Sequence, residues 1–410
     1  LRSRTEERTN DRPVETELLE TPASQGGDIS GMTPNQLEEA RAIGRRELTA
    51  SLLGRAVDLV YLVAVVVWIA QPDSGYMLWL AGLSTVPTVQ LVLLTATLIT
   101  GNLVVSFPLS LYAGHILQHQ YHLSRQSFLQ WLWRKGKGFL LEMLFSLVLV
   151  TILYWMIWTA QGWWWLVAAV GFFLLSIVLG QLAPVLILPI FYKVKLLDPT
   201  DQQGPELNRI FKELTNGTGL SVEGVYRMDL SAETNKANAM LAGLGNTRRV
   251  ILADTLLEHF SLDEIAVIFA HEVGHHVHRH IRKMILFGGL YSLVAFYLCD
   301  LMLRLWLKGA AGGEGGVDYA NLPIFVLPVL LLTIHLFSTL LEPLQNGLSR
   351  YFERQADRFA LDVTKNREAY LSAFSKLAKQ NKDDPNPHRV EVFLFHSHPP
   401  IAERIAMARH

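Results

Sequence analysis

His271-Glu272-Val273-Gly274-His275 is the stretch on which the reading of this chain turns. Residues four apart in a helix lie on one face, so His271 and His275 can present two imidazoles to one metal ion. Glu272 adjoins the first histidine, where it can serve as general base toward a metal-bound water. Two imidazoles, a carboxylate and a water make a tetrahedral site with one open position, the arrangement of catalytic zinc. Ser261-Leu262-Asp263-Glu264 lies ten residues upstream and has the form of a capping box. It predicts that a helix starts at Ser261 and carries the histidine pair on one face.

The 410 residues around this motif are half hydrophobic and only 18% charged, with a mean hydropathy of +0.24. That is too apolar for an ordinary soluble enzyme and points to membrane segments. The net charge of −1 gives no electrostatic case for nucleic-acid binding. The single cysteine, Cys299, excludes an intrachain disulfide and a cysteine-based metal cluster.

Residues 1–32 are polar without an apolar period and read as a disordered tail. Thr33-Pro34-Asn35-Gln36 then forms a helix start, followed by a charged helix to about Arg55. Six apolar runs follow, near Ala56–Gln71, Gln90–Tyr112, Phe139–Thr159, Trp163–Phe191, Met284–Leu307 and Leu322–Leu341. Each approaches the length needed to cross a bilayer. The expected organisation is the tail, a first region over 33–191 with the N-terminal helix and four spans, a catalytic segment over 192–283, two spans over 284–341, and a second catalytic segment over 342–410. With six spans, both catalytic segments, the N-terminus and the loop 114–137 share one side. That loop carries Arg125, Arg134, Lys135 and Lys137, whereas the opposite loops carry Lys308 as their basic residue. The excess of positive charge places the catalytic side in the cytoplasm.

Within 192–283 the pattern predicts a small α/β unit. Pro205–Leu214 reads as a helix and Gly224–Met228 as a strand. Ala237–Leu244 and Arg248–Leu252 read as two strands around a Gly245-Asn246 turn.

Two histidines need a third ligand. Glu353 and Asp357 share a face of a polar helix after the sixth run. One carboxylate can bind the ion while the other orients a histidine. His398 stands before Pro399-Pro400, with Arg404 close behind. On such a loop it is either an ordinary surface histidine or a donor to the oxyanion formed during peptide hydrolysis. His276 and His280 are four apart without a neighbouring acid and read as solvated or interfacial. His115 and His119 read as a structural pair. Glu142, Asp300 and His335 lie within apolar runs, where ionisable groups face the bundle interior or a wet cavity.

These motifs together resemble the type I CAAX prenyl protease family of integral-membrane zinc metallopeptidases. The resemblance runs over roughly 35–408. It rests on Ser106-Phe107-Pro108-Leu109-Ser110-Leu111-Tyr112, Asn238-Ala239, Arg249 to Leu257, the zinc motif, Ser349-Arg350 with Phe352-Glu353 and Gln355-Ala356-Asp357, and Ser397-His398-Pro399-Pro400 with Glu403-Arg404. It implies His271, His275 and Glu353 as ligands of one zinc ion, Glu272 as base and Asp357 behind a ligand. His398 and Arg404 would stabilise the transition state. The strand near Asn238 and Ala239 would pair with the substrate backbone. The expected architecture is a multi-span α-helical membrane protein of about six transmembrane helices, enclosing a chamber, with a small α/β zinc metallopeptidase domain of the gluzincin type. The expected activity is hydrolysis of protein or peptide substrates at the cytoplasmic side, as in proteases that trim prenylated CAAX proteins. A membrane-protein quality-control protease fits the same residues. So does an idle zinc-binding chaperone or scaffold, although an intact Glu272 argues against it. A metal transporter would draw on Asp300 and His335.

Overall fold

The computed structural model describes residues 31–197, 203–243, 248–311 and 317–409. Most of the N-terminal tail and the Gly245-Asn246 turn therefore lie outside the described residues. The chain enters through α1 (Pro34–Ile69), capped reciprocally by Thr33 and Gln36 as predicted. At 1.5 Å per residue, α1 is about 54 Å long. The hydrocarbon core of a bilayer is only about 30 Å thick. The charged part before Arg55 therefore projects from the membrane as a continuation of the first span, without a break between them.

Short α2 (Gly75–Leu83) and the apolar α3 (Pro87–Leu111) follow, and α3 continues through a π-helical turn at Tyr112–Ile116 into α4 (Leu117–Gln120). Next come α5 (Phe128–Ala160), α6 (Trp164–Leu182) and α7 (Leu188–Phe191). Five helical segments among the described residues are long and apolar enough to cross a membrane, and one of them, Phe128–Phe191, is 64 residues long. It doubles back at Gln161, whose φ of 48° reverses the chain. Lys137 Nζ near one end donates to the carbonyl of Ile190 near the other at 2.8 Å. This segment thus contains two of the six apolar runs. Leu286 and Leu340 are each 77% exposed, an apolar surface that lipid, not water, suits.

The α/β unit is a mixed sheet ordered β1-β2-β4-β3. It comprises β1 (Val194–Leu196), β2 (Gly224–Met228), β3 (Ala239–Ala242) and β4 (Arg249–Ala253). β2 and β4 run parallel, and the other pairs are antiparallel. β1 was not anticipated, because three residues are too few to show a period. α8 (Gly204–Thr215) covers the sheet and, through Phe211, meets Phe269 of α10 with ring centroids 4.1 Å apart. α9 (Asp254–His259) leads to α10 (Leu262–Val277), whose Ser261–Glu264 capping box is present. Glu264 is buried and also accepts from Lys376 Nζ and Ser372 Oγ of α13.

After α10 come α11 (His280–Ala311), α12 (Leu327–Thr364), α13 (Arg367–Asn381), α14 (Arg389–Phe395) and α15 (Ile401–Arg409). α12 is one helix of 38 residues. The polar helix expected after the sixth span is therefore the continuation of that span. The basic loop docks on the catalytic segment: Ser124 bridges to Thr234, and the Arg125 N–H donates to the Glu233 carbonyl. Lys382 Nζ reaches Glu39 of α1 at 2.6 Å. The basic loop, the outer part of α1 and both catalytic segments thus share one side.

Asp300 faces the bundle interior, only 1% exposed. It accepts from Trp164 Nε1 at 2.8 Å and Tyr319 Oη at 2.6 Å, and pairs with Arg304. Glu142, by contrast, is exposed and lines a groove with Asn102 and Arg134. Asp300→Ala should orphan the two buried donors and destabilise the fold by about 1–3 kcal/mol for each. Thermal unfolding in detergent measures this loss, and metal affinity at the distant histidines should stay at the wild-type value.

Candidate metal centre

Gly274 allows the centre to form. A Cβ at this position would lie 3.0 Å from Ala356 Cα and 3.2 Å from its carbonyl oxygen. α10 and α12 can cross this closely only where one of them lacks a side chain. The crossing sets His271 and His275 of α10 against Glu353 and Asp357 of α12. His271 Nε2 and His275 Nε2 are 3.2 Å apart, and each is 3.3 Å from an oxygen of Glu353. A tetrahedral ion with bonds of about 2.0–2.1 Å holds its donor atoms about 3.3 Å apart. Glu353 is 5% exposed, and its Oε2 has no hydrogen-bond partner among the described residues. Two converging imidazoles and a buried, unsatisfied carboxylate oxygen suit a divalent cation.

Asp357 lies one helical turn past Glu353 and is fully buried. Its Oδ1 is 2.9 Å from His271 Nδ1. That nitrogen carries a proton and donates, which turns Nε2 toward Glu353. Burial opposes charge on His271. The hydrogen bond and charge of Asp357 outweigh that opposition and raise its pKa to about 9.

Arg404 of α15 grips Asp357 with two nitrogens, Nε at 2.9 Å from Oδ2 and a terminal nitrogen on Oδ1. It stacks over Phe374 at 3.9 Å from the ring centroid. The resemblance set Arg404 beside the transition state. Its guanidinium is buried against Asp357, lies beside His271 and lines the groove that opens onto the centre. His398 stands exposed at the rim, with Nε2 3.5 Å from Glu353 Oε1. The buried Pro399 and Pro400 anchor its loop, and Arg350 Nη1 donates to the carbonyls of Val392 and His396.

A groove of about 620 Å³ opens onto the centre, lined by Glu272, Glu353, His398, Asn238 and Ala239, the first residue of β3. Among the described strands β3 is an edge strand of the sheet, and its first residue borders this groove. Gly44, Glu47, Leu48 and Ser51 of α1 form another wall. Sequence reasoning missed Arg350 as the clamp on the His398 loop. The signal available was a basic residue one turn before Glu353.

His280 requires a correction. It was expected to be solvated or interfacial, on the reading that the motif helix continues through it. α10 instead ends at Val277, and Arg279 adopts a left-handed φ of 55°. α11 then begins at His280, 3% exposed, with Nδ1 3.0 Å from His275 Nδ1. His276 is half-buried beside Arg248. His115 and His119 pack ring to ring, with no carboxylate in their contacts.

Fold and site together define a membrane-embedded metalloprotease. The family model for peptidase family M48 matches residues 201–410, and that for the CAAX prenyl protease N-terminal region, described as five membrane helices, matches 27–193. The chain belongs to peptidase family M48. It is 30% identical over 332 residues to the uncharacterized metalloprotease YhfN of Bacillus subtilis, covering 80% of this chain and 73% of that one. It is 26% identical over 335 residues to a CAAX prenyl protease 1 homolog of Taenia solium, covering 73% and 68%. The crystal structure of S. mikatae Ste24p superposes with a TM-score of 0.75 at 20% identity, over 92% of this chain and 90% of that one. That likeness concerns the fold.

Two outcomes follow from this geometry. Gly274→Ala and Gly274→Val should push α10 from α12 in order of size, at an overpacking cost of about 1–3 kcal/mol. Chelator competition should show metal affinity falling in the same order. Asp357 retains the Nδ1 proton of His271, but the doubly protonated ring must surrender the proton on Nε2 to bind an ion. Below about pH 9 the metal-free protein carries that proton, so binding at pH 7 should release it and affinity should rise with pH. Calorimetry in buffers of different ionisation enthalpy counts the protons released.

Proposed function

We propose that this chain is a zinc-dependent endopeptidase that uses one zinc ion, held by His271, His275 and Glu353, to hydrolyse protein or peptide substrates at the membrane surface. The observation that carries the reading is the open groove onto which His271, Glu353, Glu272 and the start of an edge strand converge. When bound, zinc supplies a Lewis acid and lowers the pKa of water toward about 7.

The residues of the chain do the rest. An extended substrate adds to the free side of β3 at Asn238 and Ala239, so that backbone hydrogen bonds fix its register. Glu272 takes a proton from the attacking water and delivers it to the leaving amine. Asp357, held by Arg404, keeps the His271 proton on Nδ1. His398 at the rim donates to the developing oxyanion.

The catalytic side faces the cytoplasm in this reading. The basic loop 114–137 docks on the catalytic segment, and positive loops stay cytoplasmic. The groove wall on α1, Gly44 to Ser51, ends five residues before the apolar run at Ala56. That is about 8 Å of helix, so substrates close to the bilayer, lipidated ones included, can reach the centre. Relatives named CAAX prenyl proteases make a C-terminally prenylated protein the substrate to test first.

Glu272→Ala should keep zinc and lose about 10²–10⁴-fold in turnover. His398→Ala should lower kcat about 10²–10³-fold with KM nearly unchanged. Steady-state assays in detergent, on matched prenylated and unprenylated peptides, measure both effects. Full turnover in zinc-loaded Glu272→Ala would remove the base from the mechanism.

A further inference from the structure

The two histidines of the centre are held from behind in different ways. His271 leans on a carboxylate. His275 leans on another imidazole, and the protons along that second path can be assigned one by one.

His275 turns Nε2 toward Glu353 and His271; in the proposed centre that nitrogen gives its lone pair to the ion, so the neutral ring carries the proton on Nδ1. His275 Nδ1 and His280 Nδ1 are 3.0 Å apart. One of the two must donate and the other accept. His280 Nδ1 is therefore the acceptor, and the His280 proton sits on Nε2. That nitrogen lies 2.9 Å from the carbonyl oxygen of Gln355, which can only accept. The Gln355 amide nitrogen then donates to Tyr351 Oη at 3.0 Å. Every donor meets an acceptor, and no link leaves two protons or two lone pairs facing each other.

The His280 ring is also fixed in space. It is 3% exposed and stacks on Phe352, the neighbour of Glu353, at a centroid distance of 4.3 Å and 15° between planes. Its place depends on the left-handed Arg279, which brings the first residue of α11 back against α10.

We propose that His280, backed by Gln355, is a positioning residue for His275: it fixes the tautomer and ring orientation that the centre requires. The relay is neutral, whereas the support behind His271 is a carboxylate. The inference rests on the metal centre proposed above.

The test is zinc affinity of the full chain in detergent, by competition with a chromophoric chelator. Glu353→Ala serves as the control for the centre itself. If wild type binds zinc no better than Glu353→Ala, the centre is wrong, whatever the relay does. Given binding, His280→Phe keeps the stack on Phe352 and lacks the acceptor, so affinity should fall about 10–100-fold, as for the loss of other groups behind a ligand. His280→Asn places its Oδ1 where Nδ1 stood and should restore most of that loss. Wild-type affinity in His280→Phe, or equal losses in His280→Phe and His280→Asn, would overturn the proposal. The wild-type protein supplies a readout free of folding effects. With ¹⁵N-histidine and zinc bound, His280 should appear as its Nε2–H tautomer, and an Nδ1–H tautomer there would overturn the relay as well.

Discussion

The close contact between Gly274 and Ala356 is the constraint on which the centre depends. Neither pair of polar residues makes a site alone. The histidines occupy one helix and the carboxylates another, and their atoms come within 3.3 Å only because the two backbones nearly touch. The same crossing settles which carboxylate meets which nitrogen. Glu353 faces the Nε2 atoms, and Asp357, one turn further on, meets Nδ1 of His271. A shift of α12 by one residue would turn both away.

The two crossing helices are not free pieces. α12 runs unbroken from its apolar half into Glu353 and Asp357, and α11 starts at His280, three residues after α10 ends. The membrane bundle is thus joined to the centre on both sides without an intervening loop. The C-terminal elements then close over it. Arg404 anchors Asp357, and Arg350 holds the loop of His398. Such cross-links among distant parts of the chain fix side chains more firmly than loops could.

Charge is distributed with the same economy. Asp357 is neutralised by Arg404, and the support behind His275 is uncharged, so Glu353 is the carboxylate left unsatisfied at the centre. In the proposed centre, once His271 has lost its Nε2 proton, a cation between the histidines would meet one negative ligand and two neutral ones. That leaves a bound divalent ion electropositive enough to polarise a carbonyl.

Much of this was legible in the residues themselves. The apolar runs follow from length and composition, because a bilayer demands long apolar helices. The start of α10 followed from Ser261 and Glu264, and the His271–His275 pair from helical spacing, both being interactions within one turn. Strands Gly224–Met228 and Arg249–Ala253 were visible through their apolar pattern. What the sequence could not supply were contacts between distant turns. Spacing alone left the roles of Glu353 and Asp357 open and the resemblance assigned them; the helix crossing puts Glu353 at the Nε2 atoms and Asp357 at Nδ1 of His271. Arg404 was singled out through the resemblance, but its pairing with Asp357 became visible only in space. His280 was misread because a left-handed residue at 279 ends one helix and begins another. Helical periodicity records the neighbours of a residue along its own helix. Only tertiary packing decides what stands across from it.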